Sequence, residues 1–265
     1  MADRVLTPGS SAHSPTWGFS RPTLVQATAI SFALESRDIL ARARTGSGKT
    51  AAYCVPVVQK IPSAKIAPDA AQATRAVVLV SMRELVEQFS AHLKRLLAYC
   101  EGEVEVSSVA SGTTTHLQRT LLSAKPDVVV DASRALALMH SKALVVSSLE
   151  SLVIDEADLI LSYGHDEDVR QKFSGAFLPK VYQSFLMSAT MTEDVELLKG
   201  LNPAILKLAE DEDEAANLIQ YSVRCTEVDK FLLTYVILKL KLTKGKCILF
   251  ANDVDRPVVS PQAVP

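Results

Sequence analysis

The chain has 265 residues, 48% of them hydrophobic and 22% charged, and its formal net charge is −2. This length and hydrophobic content allow one large domain with a sizeable core, or one domain and a fragment of another. The near-neutral charge argues against a broadly basic nucleic-acid-binding surface, no apolar run reaches the roughly 20 residues of a membrane-spanning helix, and residues 1–17 lack the apolar segment of a secretory signal.

The first part of the chain alternates short β-branched runs with longer segments of helical periodicity. Residues 1–16 show neither pattern and are expected to be disordered. This alternation predicts an α/β fold in which a parallel sheet is flanked by helices. Residues 77–80 are apolar throughout, which is typical of a strand covered on both faces of a sheet. The predicted strands are residues 38–42, 76–81, 104–109, 127–131, 151–155 and 184–188.

One predicted helix has a well-defined apolar face. Its residues Leu85, Phe89, His92, Leu96 and Tyr99 recur at helical spacing. We therefore expect these side chains to pack against the core.

The pattern changes after about residue 203. The acidic run at residues 210–214 is typical of a solvated linker. A strand at residues 220–225, a helix at 229–240 and a strand at 247–251 are predicted beyond it. The expected domains are therefore a disordered N-terminus (1–16), a first domain (17–208), an acidic linker (209–219), the start of a second domain (220–256) and a disordered tail (257–265).

The first functional motif is residues 43–50, ARTGSGKT, which follows a predicted strand and opens a predicted helix. Glycines in such a loop let backbone N–H groups approach phosphates, with the helix N-terminus facing the anion. Lys49 would reach the β- and γ-phosphates, and the Thr50 hydroxyl would bind Mg²⁺. The alternative is an ordinary glycine-containing turn. The nucleotide-binding candidates in this loop are Ala43, Arg44, Thr45, Gly46, Ser47, Gly48, Lys49 and Thr50.

The second motif is the acidic pair Asp155 and Glu156, at the carboxyl end of an apolar strand. Ligands of open α/β sheets bind at such strand ends. Asp155 could hold Mg²⁺ through water, and Glu156 could orient or deprotonate an attacking water. A solvated strand end is the alternative for such a pair alone, but its place downstream of a phosphate-binding loop favours the catalytic interpretation.

Residues 155–158 read DEAD, and with the ARTGSGKT loop they resemble the DEAD-box ATP-dependent RNA helicases. Residues 18–26, GFSRPTLVQ, resemble that family's Q motif. The resemblance implies that Phe19, Arg21, Thr23 and Gln26 contact the nucleotide, with Gln26 bonded to the adenine edge. Residues 155–165 and 182–190 further resemble a nucleolar subgroup that acts in large ribosomal subunit assembly.

This resemblance covers about residues 17–256 and implies a RecA-like P-loop domain with ATP and Mg²⁺ as cofactors and RNA as partner. Residues 188–190, SAT, resemble the motif that couples hydrolysis to RNA strand separation, which assigns coupling roles to Ser188 and Thr190. Pre-ribosomal RNA and a nuclear, nucleolar location follow from the subgroup. No membrane partner is expected, and the oligomeric state is left open.

Some positions depart from the family pattern. Residues 81–85 read SMREL where the family has PTREL, and residues 131–134 read DASR where it has TPGR. Asp131 would place a negative charge near an RNA phosphate, so weakened RNA contact is expected.

The expected second domain stops early and lacks the arginines that the family supplies to the γ-phosphate. The chain is therefore expected to be a truncated form with weak ATP binding and slow hydrolysis, because such arginines contribute about 10³–10⁵ in rate in comparable phosphoryl transfer. A non-catalytic nucleotide-binding fragment that acts through partners stays open as the alternative. A P-loop NTPase that acts on DNA is a further one, and the Q motif argues against it.

Overall fold

The fold of the chain is that of a computed structural model. The structure describes residues 21–44, 46–66, 71–98, 102–109, 115–132, 135–160, 178–190, 204–207, 219, 221–243 and 245–250. The chain divides into two compact units, residues 1–210 and 211–265, and each is described by itself.

The first unit is built on a seven-stranded sheet. Its strands are β1 (Ile39–Arg42), β2 (Ala76–Leu79), β3 (Val106–Val109), β4 (Val128–Asp131), β5 (Ser151–Ile154), β6 (Gln183–Ser188) and β7 (Ala204–Lys207). Their order in the sheet is β3-β4-β2-β5-β6-β1-β7, and every neighbouring pair is parallel. A parallel sheet needs crossover connections between its strands, and from β1 to β5 a helix between each two successive strands supplies them.

Helices cover both faces of this sheet. The helices of this unit are α1 (Leu24–Leu34), α2 (Lys49–Lys65), α3 (Arg83–Leu97), α4 (Thr115–Ser123), α5 (Ala135–His140) and α6 (Ala157–Ile160). Alternate residues of a strand point to opposite faces of the sheet. On one face, Ile39 and Ala41 of β1 belong to an apolar cluster with α1, α2 and α3. On the other face, Leu40 belongs to a cluster with α4, α5 and α6. The predicted α/β fold with a helix-flanked parallel sheet is thereby confirmed.

The strand order determines where the functional loops meet. Strand β6 pairs with both β1 and β5, and β5 also pairs with β2. Because the strands are parallel, the segments after β1, β2, β5 and β6 leave the sheet at the same edge. The predicted phosphate-binding loop, the acidic pair and the SAT segment therefore share one edge.

Helix α3 has a slightly different buried face from the predicted one. Its buried residues are Val86, Phe89, Ser90, Leu93 and Leu97. Of the predicted apolar face, only Phe89 is buried among the described residues, and Tyr99 lies outside them. Leu85 and Leu96 are partly buried at the border of the core. The apolar arc is broad, and sequence spacing did not locate its centre.

The sequence does not predict β7, a four-residue strand that adds to β1 at the edge of the sheet. Its short run lies close after Pro203, where strand propensity is weak, and its pairing with β1 provides the hydrogen bonds that define it.

In the second unit the structure describes one helix, α7 (Glu227–Lys239), close to the predicted residues 229–240. The described parts of the predicted strands, residues 221–225 and 247–250, are not strands, so these two predictions are wrong there. β-branched composition favours a strand, but a strand also needs a hydrogen-bonded neighbour, and residues 221–225 and 247–250 are all exposed. The domain boundaries given above stay predictions. No helix within the described ranges is long and apolar enough to cross a membrane.

Candidate nucleotide-binding site

A cleft of about 470 Å³ opens at the shared edge of the sheet. Its walls come from α1, the loop after β1, the first turn of α2, one side of α3 and the segment after β5. The lining residues are Gln26, Gly46, Gly48, Lys49, Thr50, Ala51, Val80, Leu85, Gln88, Phe89, His92, Asp155 and Glu156.

The loop after β1 is shaped by Gly46 and Gly48, whose φ angles are 85° and 89°. These left-handed conformations favour glycine because a Cβ would be strained there. Gly48 is the N-cap of α2 and provides no side-chain cap, so the first N–H groups of this helix have no side-chain acceptor at the cap position. Backbone donors at a helix N-terminus form a suitable site for an anion.

Lys49 is the first residue of α2, and its side chain turns back along the loop. The ammonium donates to the Ala43 carbonyl at 2.7 Å, and the residue is buried. The Ala43 N–H donates in turn to the Ser188 carbonyl at 3.0 Å. The backbone of Ala43 thus connects the phosphate-binding lysine to the end of β6.

Gln26 fixes the other side of the loop. Its side-chain nitrogen donates to the Gly48 carbonyl at 3.1 Å, and its side-chain oxygen accepts from the Thr23 N–H at 3.1 Å. The Thr23 hydroxyl completes a capping box at the start of α1. Gln26 therefore holds α1 against the phosphate loop, and its contact with adenine stays a prediction.

Asp155 follows β5 and lies inside the cleft. Its Oδ2 accepts from the Tyr53 hydroxyl at 2.7 Å, and its Oδ1 accepts from the Glu156 N–H at 2.9 Å. Burial raises the pKa of Asp155 above its ordinary value, although the Tyr53 bond and the Lys49 charge partly offset this effect. Burial and the Asp155 charge raise the pKa of Tyr53 well above its ordinary value, so its hydroxyl stays protonated as a donor.

Glu156 has a left-handed backbone, with φ 52°. Its carboxylate accepts a hydrogen bond from the Ser81 hydroxyl, which lies after β2. Ser81 stands at the position where the sequence departs from the family's proline, and the structure places its hydroxyl at the acidic pair.

Asp158, at the start of α6, connects the acidic segment to the end of β6. Its carboxylate accepts from the Thr190 N–H at 3.1 Å and from the Thr190 hydroxyl at 2.9 Å. Partial burial raises the pKa of Asp158, but the hydrogen bonds from Thr190 oppose that effect, and the pKa is lowered. The acidic segment and the SAT segment are thus joined directly.

The structure brings together Gln26, Lys49, Thr50, Asp155 and Glu156, and it places Ser188 and Thr190 beside the next strand end. Ser188 is fully buried, Thr190 is exposed, and Arg21 and Arg44 are exposed. Phe19 and Thr45 lie outside the described residues. The roles assigned to all these residues stay predictions.

Sequence reasoning did not identify Tyr53, and it assigned Ser81 to an RNA-contact motif. Tyr53 is 102 positions from Asp155, and Ser81 is 75 positions from Glu156. Only the strand order brings these pairs together. The helical spacing of Thr50 and Tyr53 was the one local signal that could have placed Tyr53 near the site.

Asp131 has a different place from the one expected. Its carboxylate accepts from the Ala135 N–H at the start of α5, and the residue is 1% exposed. A carboxylate at a helix N-terminus satisfies an unpaired backbone donor. Asp131 is therefore directed into the protein, and the expected surface charge near an RNA phosphate is not found.

Within the described residues, no group of three or more His, Cys, Asp or Glu side chains is arranged to hold a metal ion. Mg²⁺ in phosphoryl-transfer sites usually keeps several waters and takes only one or two protein oxygens together with phosphate oxygens. Thr50 and Asp155 offer such oxygens in the same cleft. The donor set therefore fits Mg²⁺ held with a bound nucleotide.

The chain was then compared with known proteins. The DEAD/DEAH box helicase family model matches residues 23–198. The ATP-dependent RNA helicase dbp9 of Aspergillus clavatus is 48% identical over 242 residues, covering 90% of this chain and 39% of that protein. The ATP-dependent RNA helicase DBP9 of Cryptococcus neoformans is 51% identical over 249 residues, covering 90% and 40%.

Among solved structures, a hypothetical ATP-dependent RNA helicase from Sulfolobus tokodaii is similar, with a TM-score of 0.61 and 28% identity. The similarity covers 72% of this chain and 54% of that one. The chain spans about two fifths of the length of the curated relatives described above.

Proposed function

The chain belongs to the DEAD/DEAH box helicase family, and from this premise we propose that it binds ATP with Mg²⁺ and couples ATP hydrolysis to RNA remodelling. The observation that supports this proposal best is the cleft that collects Gln26, Lys49, Thr50, Asp155 and Glu156 from separate elements. Each has the chemistry that one part of Mg·ATP requires.

Phosphate binding falls to the loop after β1 and the start of α2. Backbone N–H groups around Gly46 and Gly48 would donate to the phosphates. Lys49 already lies in the cleft, and its ammonium would exchange the Ala43 carbonyl for phosphate oxygens. Such charge-assisted bonds are stronger than those between neutral groups.

Metal binding falls to the Thr50 hydroxyl and the Asp155 carboxylate. When bound, Mg²⁺ would neutralise charge on the phosphate oxygens. Asp155 needs its negative charge for this role, and the Tyr53 bond and Lys49 charge oppose the effect of burial on that carboxyl.

Glu156 would orient the attacking water and accept its proton. The Ser81 hydroxyl and the following helix α6 restrict where its carboxylate can lie. A positioned general base of this kind contributes about 10²–10⁴ in rate.

Coupling to RNA is proposed to run through the end of β6. The Ala43 N–H bonds the Ser188 carbonyl, and Asp158 bonds Thr190. A shift of the phosphate loop or of the acidic segment would therefore move the SAT segment.

We further propose RNA as the partner, since both curated relatives are named RNA helicases. A pre-ribosomal RNA and a nucleolar location are proposed from the likeness of residues 155–165 and 182–190 to the ribosome-assembly subgroup. Ser81 replaces a residue of an RNA-contact motif, which supports weaker RNA contact there. A tagged chain that does not enrich in the nucleolus would overturn the proposed location.

The function is tested by phosphate release from ATP and from GTP by the full chain, with and without single-stranded RNA. We expect release that prefers ATP, responds to RNA and disappears in Glu156→Gln. ATP binding without any Glu156-dependent release would favour the non-catalytic nucleotide-binding module instead. Equal use of ATP and GTP would contradict the adenine role of Gln26.

A further inference from the structure

We propose that Tyr53 is a positioning residue for the magnesium site: its hydroxyl fixes the Asp155 carboxylate in the orientation that Mg²⁺ needs. This inference rests on the proposed function. Tyr53 belongs to neither the phosphate loop nor the acidic motif, and it makes its contribution through Asp155.

The Tyr53 ring is held rigidly. Tyr53 is 0% exposed and is among the largest fully buried side chains. Its ring stacks on the Phe89 ring of α3, with centroids 5.9 Å apart and an interplanar angle of 18°. A close-packed aromatic ring leaves its hydroxyl little freedom, so the oxygen is a fixed point beside Asp155, which lines the cleft.

The hydroxyl of Tyr53 contacts one of the two proposed magnesium-binding residues directly. It donates to Asp155 Oδ2 at 2.7 Å. The buried phenol oxygen is thus a hydrogen-bond partner of the carboxylate that would hold the ion.

These bonds leave a defined set of free lone pairs on Asp155. Oδ2 accepts from Tyr53, and Oδ1 accepts from the Glu156 N–H at 2.9 Å. Each carboxylate oxygen therefore has one fixed partner and one remaining lone pair for a metal-bound water. Because the two partners lie on different elements, the carboxylate plane cannot rotate without breaking one of the bonds.

Tyr53→Phe keeps the stacked ring and removes only the hydroxyl. Partners that orient metal ligands typically change metal affinity by about 10- to 100-fold when they are removed. The loss should appear only when the metal is present, because the Tyr53 hydroxyl bonds Asp155, whose proposed role is to hold the metal.

The test uses the full chain and a fluorescent ADP analogue, titrated once in excess Mg²⁺ and once in EDTA. The dissociation constant in EDTA divided by the dissociation constant in Mg²⁺ measures how far the metal strengthens nucleotide binding. We expect Tyr53→Phe to lower this ratio about 10-fold or more while the affinity in EDTA stays within about twofold. Tyr182→Phe, which removes a hydroxyl near the opposite face of the sheet, should leave the ratio unchanged.

A second variant covers the case in which Tyr53→Phe does not fold. Phe89→Leu keeps the hydroxyl but loosens the ring, and it should lower the same ratio by a smaller factor. An unchanged ratio in the folded variants overturns the inference, and so does an equal loss of affinity in Mg²⁺ and in EDTA. If the unaltered chain binds no nucleotide in either condition, the proposed function falls and this inference falls with it.

Discussion

Gln26 and Gly48 are in direct contact across the mouth of the cleft. The Gln26 side-chain nitrogen donates to the Gly48 carbonyl at 3.1 Å, and a Cβ added at Gly48 would lie 2.4 Å from the same nitrogen. The side chain proposed to read adenine therefore occupies the space that a side chain at position 48 would need.

Gly48→Ala should lower nucleotide affinity by about 10-fold or more, because a left-handed residue with a Cβ costs about 1–2 kcal/mol and the new methyl group displaces Gln26. Gly46→Ala is the matched control. Gly46 has φ 85°, but no atom of the described residues lies within 4 Å of an added Cβ. Equilibrium titration with a fluorescent nucleotide should give a clearly smaller loss for Gly46→Ala, and equal losses would contradict a role for the Gln26 contact.

Glu156→Gln should keep nucleotide affinity and reduce phosphate release by about 10²–10⁴-fold, because the amide accepts the Ser81 bond but cannot take a proton. Single-turnover hydrolysis measures the chemical step directly. Glu87→Gln, an exposed change on α3 that affects a pair with Arg83, should leave release unchanged. Phosphate release by Glu156→Gln at the rate of the unaltered chain would show that Glu156 is not the catalytic base.

Thr190→Val should lower the free energy of unfolding at neutral pH by less than about 1 kcal/mol, because the Asp158 pair is largely solvent-exposed. Asp158 has a lowered pKa in the folded state, so its contribution is present above its ordinary value of 3.8 and is lost as pH falls through the folded value. The difference in free energy of unfolding between the unaltered protein and Thr190→Val, measured by urea unfolding, should therefore be smaller at about pH 3 than at neutral pH.

The control for that experiment is Thr28→Val. The Thr28 hydroxyl donates to the Leu24 carbonyl of α1 at 2.9 Å, an acceptor that does not titrate. Its effect should not depend on pH over this range. If the change in free energy of unfolding caused by Thr190→Val is also constant with pH, the bond to Asp158 is not what makes Thr190 stabilising.

The sequence predicted the first unit well because its signals are local. Residues 76–79 are apolar at every position, and the structure buries all of them in the sheet. Lys49 begins the helix that follows β1, and Asp155 directly follows β5, where their motifs predicted them. In a parallel sheet, that position alone brings strand ends to one edge.

The remaining features depend on strand order, which no short pattern contains. Ser81 meets Glu156 because β2 lies beside β5, and Ala43 meets Ser188 because β1 lies beside β6. The sequence placed the Asp131 charge near an RNA phosphate, but in the structure its carboxylate accepts a hydrogen bond from the Ala135 N–H at the start of α5. The predicted strand at residues 220–225 failed because its described residues have no neighbouring strand to pair with.

The proposed binding of Mg·ATP in this cleft depends on Lys49, and we expect a nucleotide titration of Lys49→Ala to show it. Loss of a charged hydrogen-bonding group costs about 1.5–3 kcal/mol, or roughly 10- to 100-fold in affinity. Lys60→Ala is the control, because Lys60 lies on the same helix but bonds Gln183. We predict saturable binding by the unaltered chain and by Lys60→Ala, with a loss of that size in Lys49→Ala. Unchanged affinity in Lys49→Ala, or no binding by the unaltered chain, would contradict this prediction.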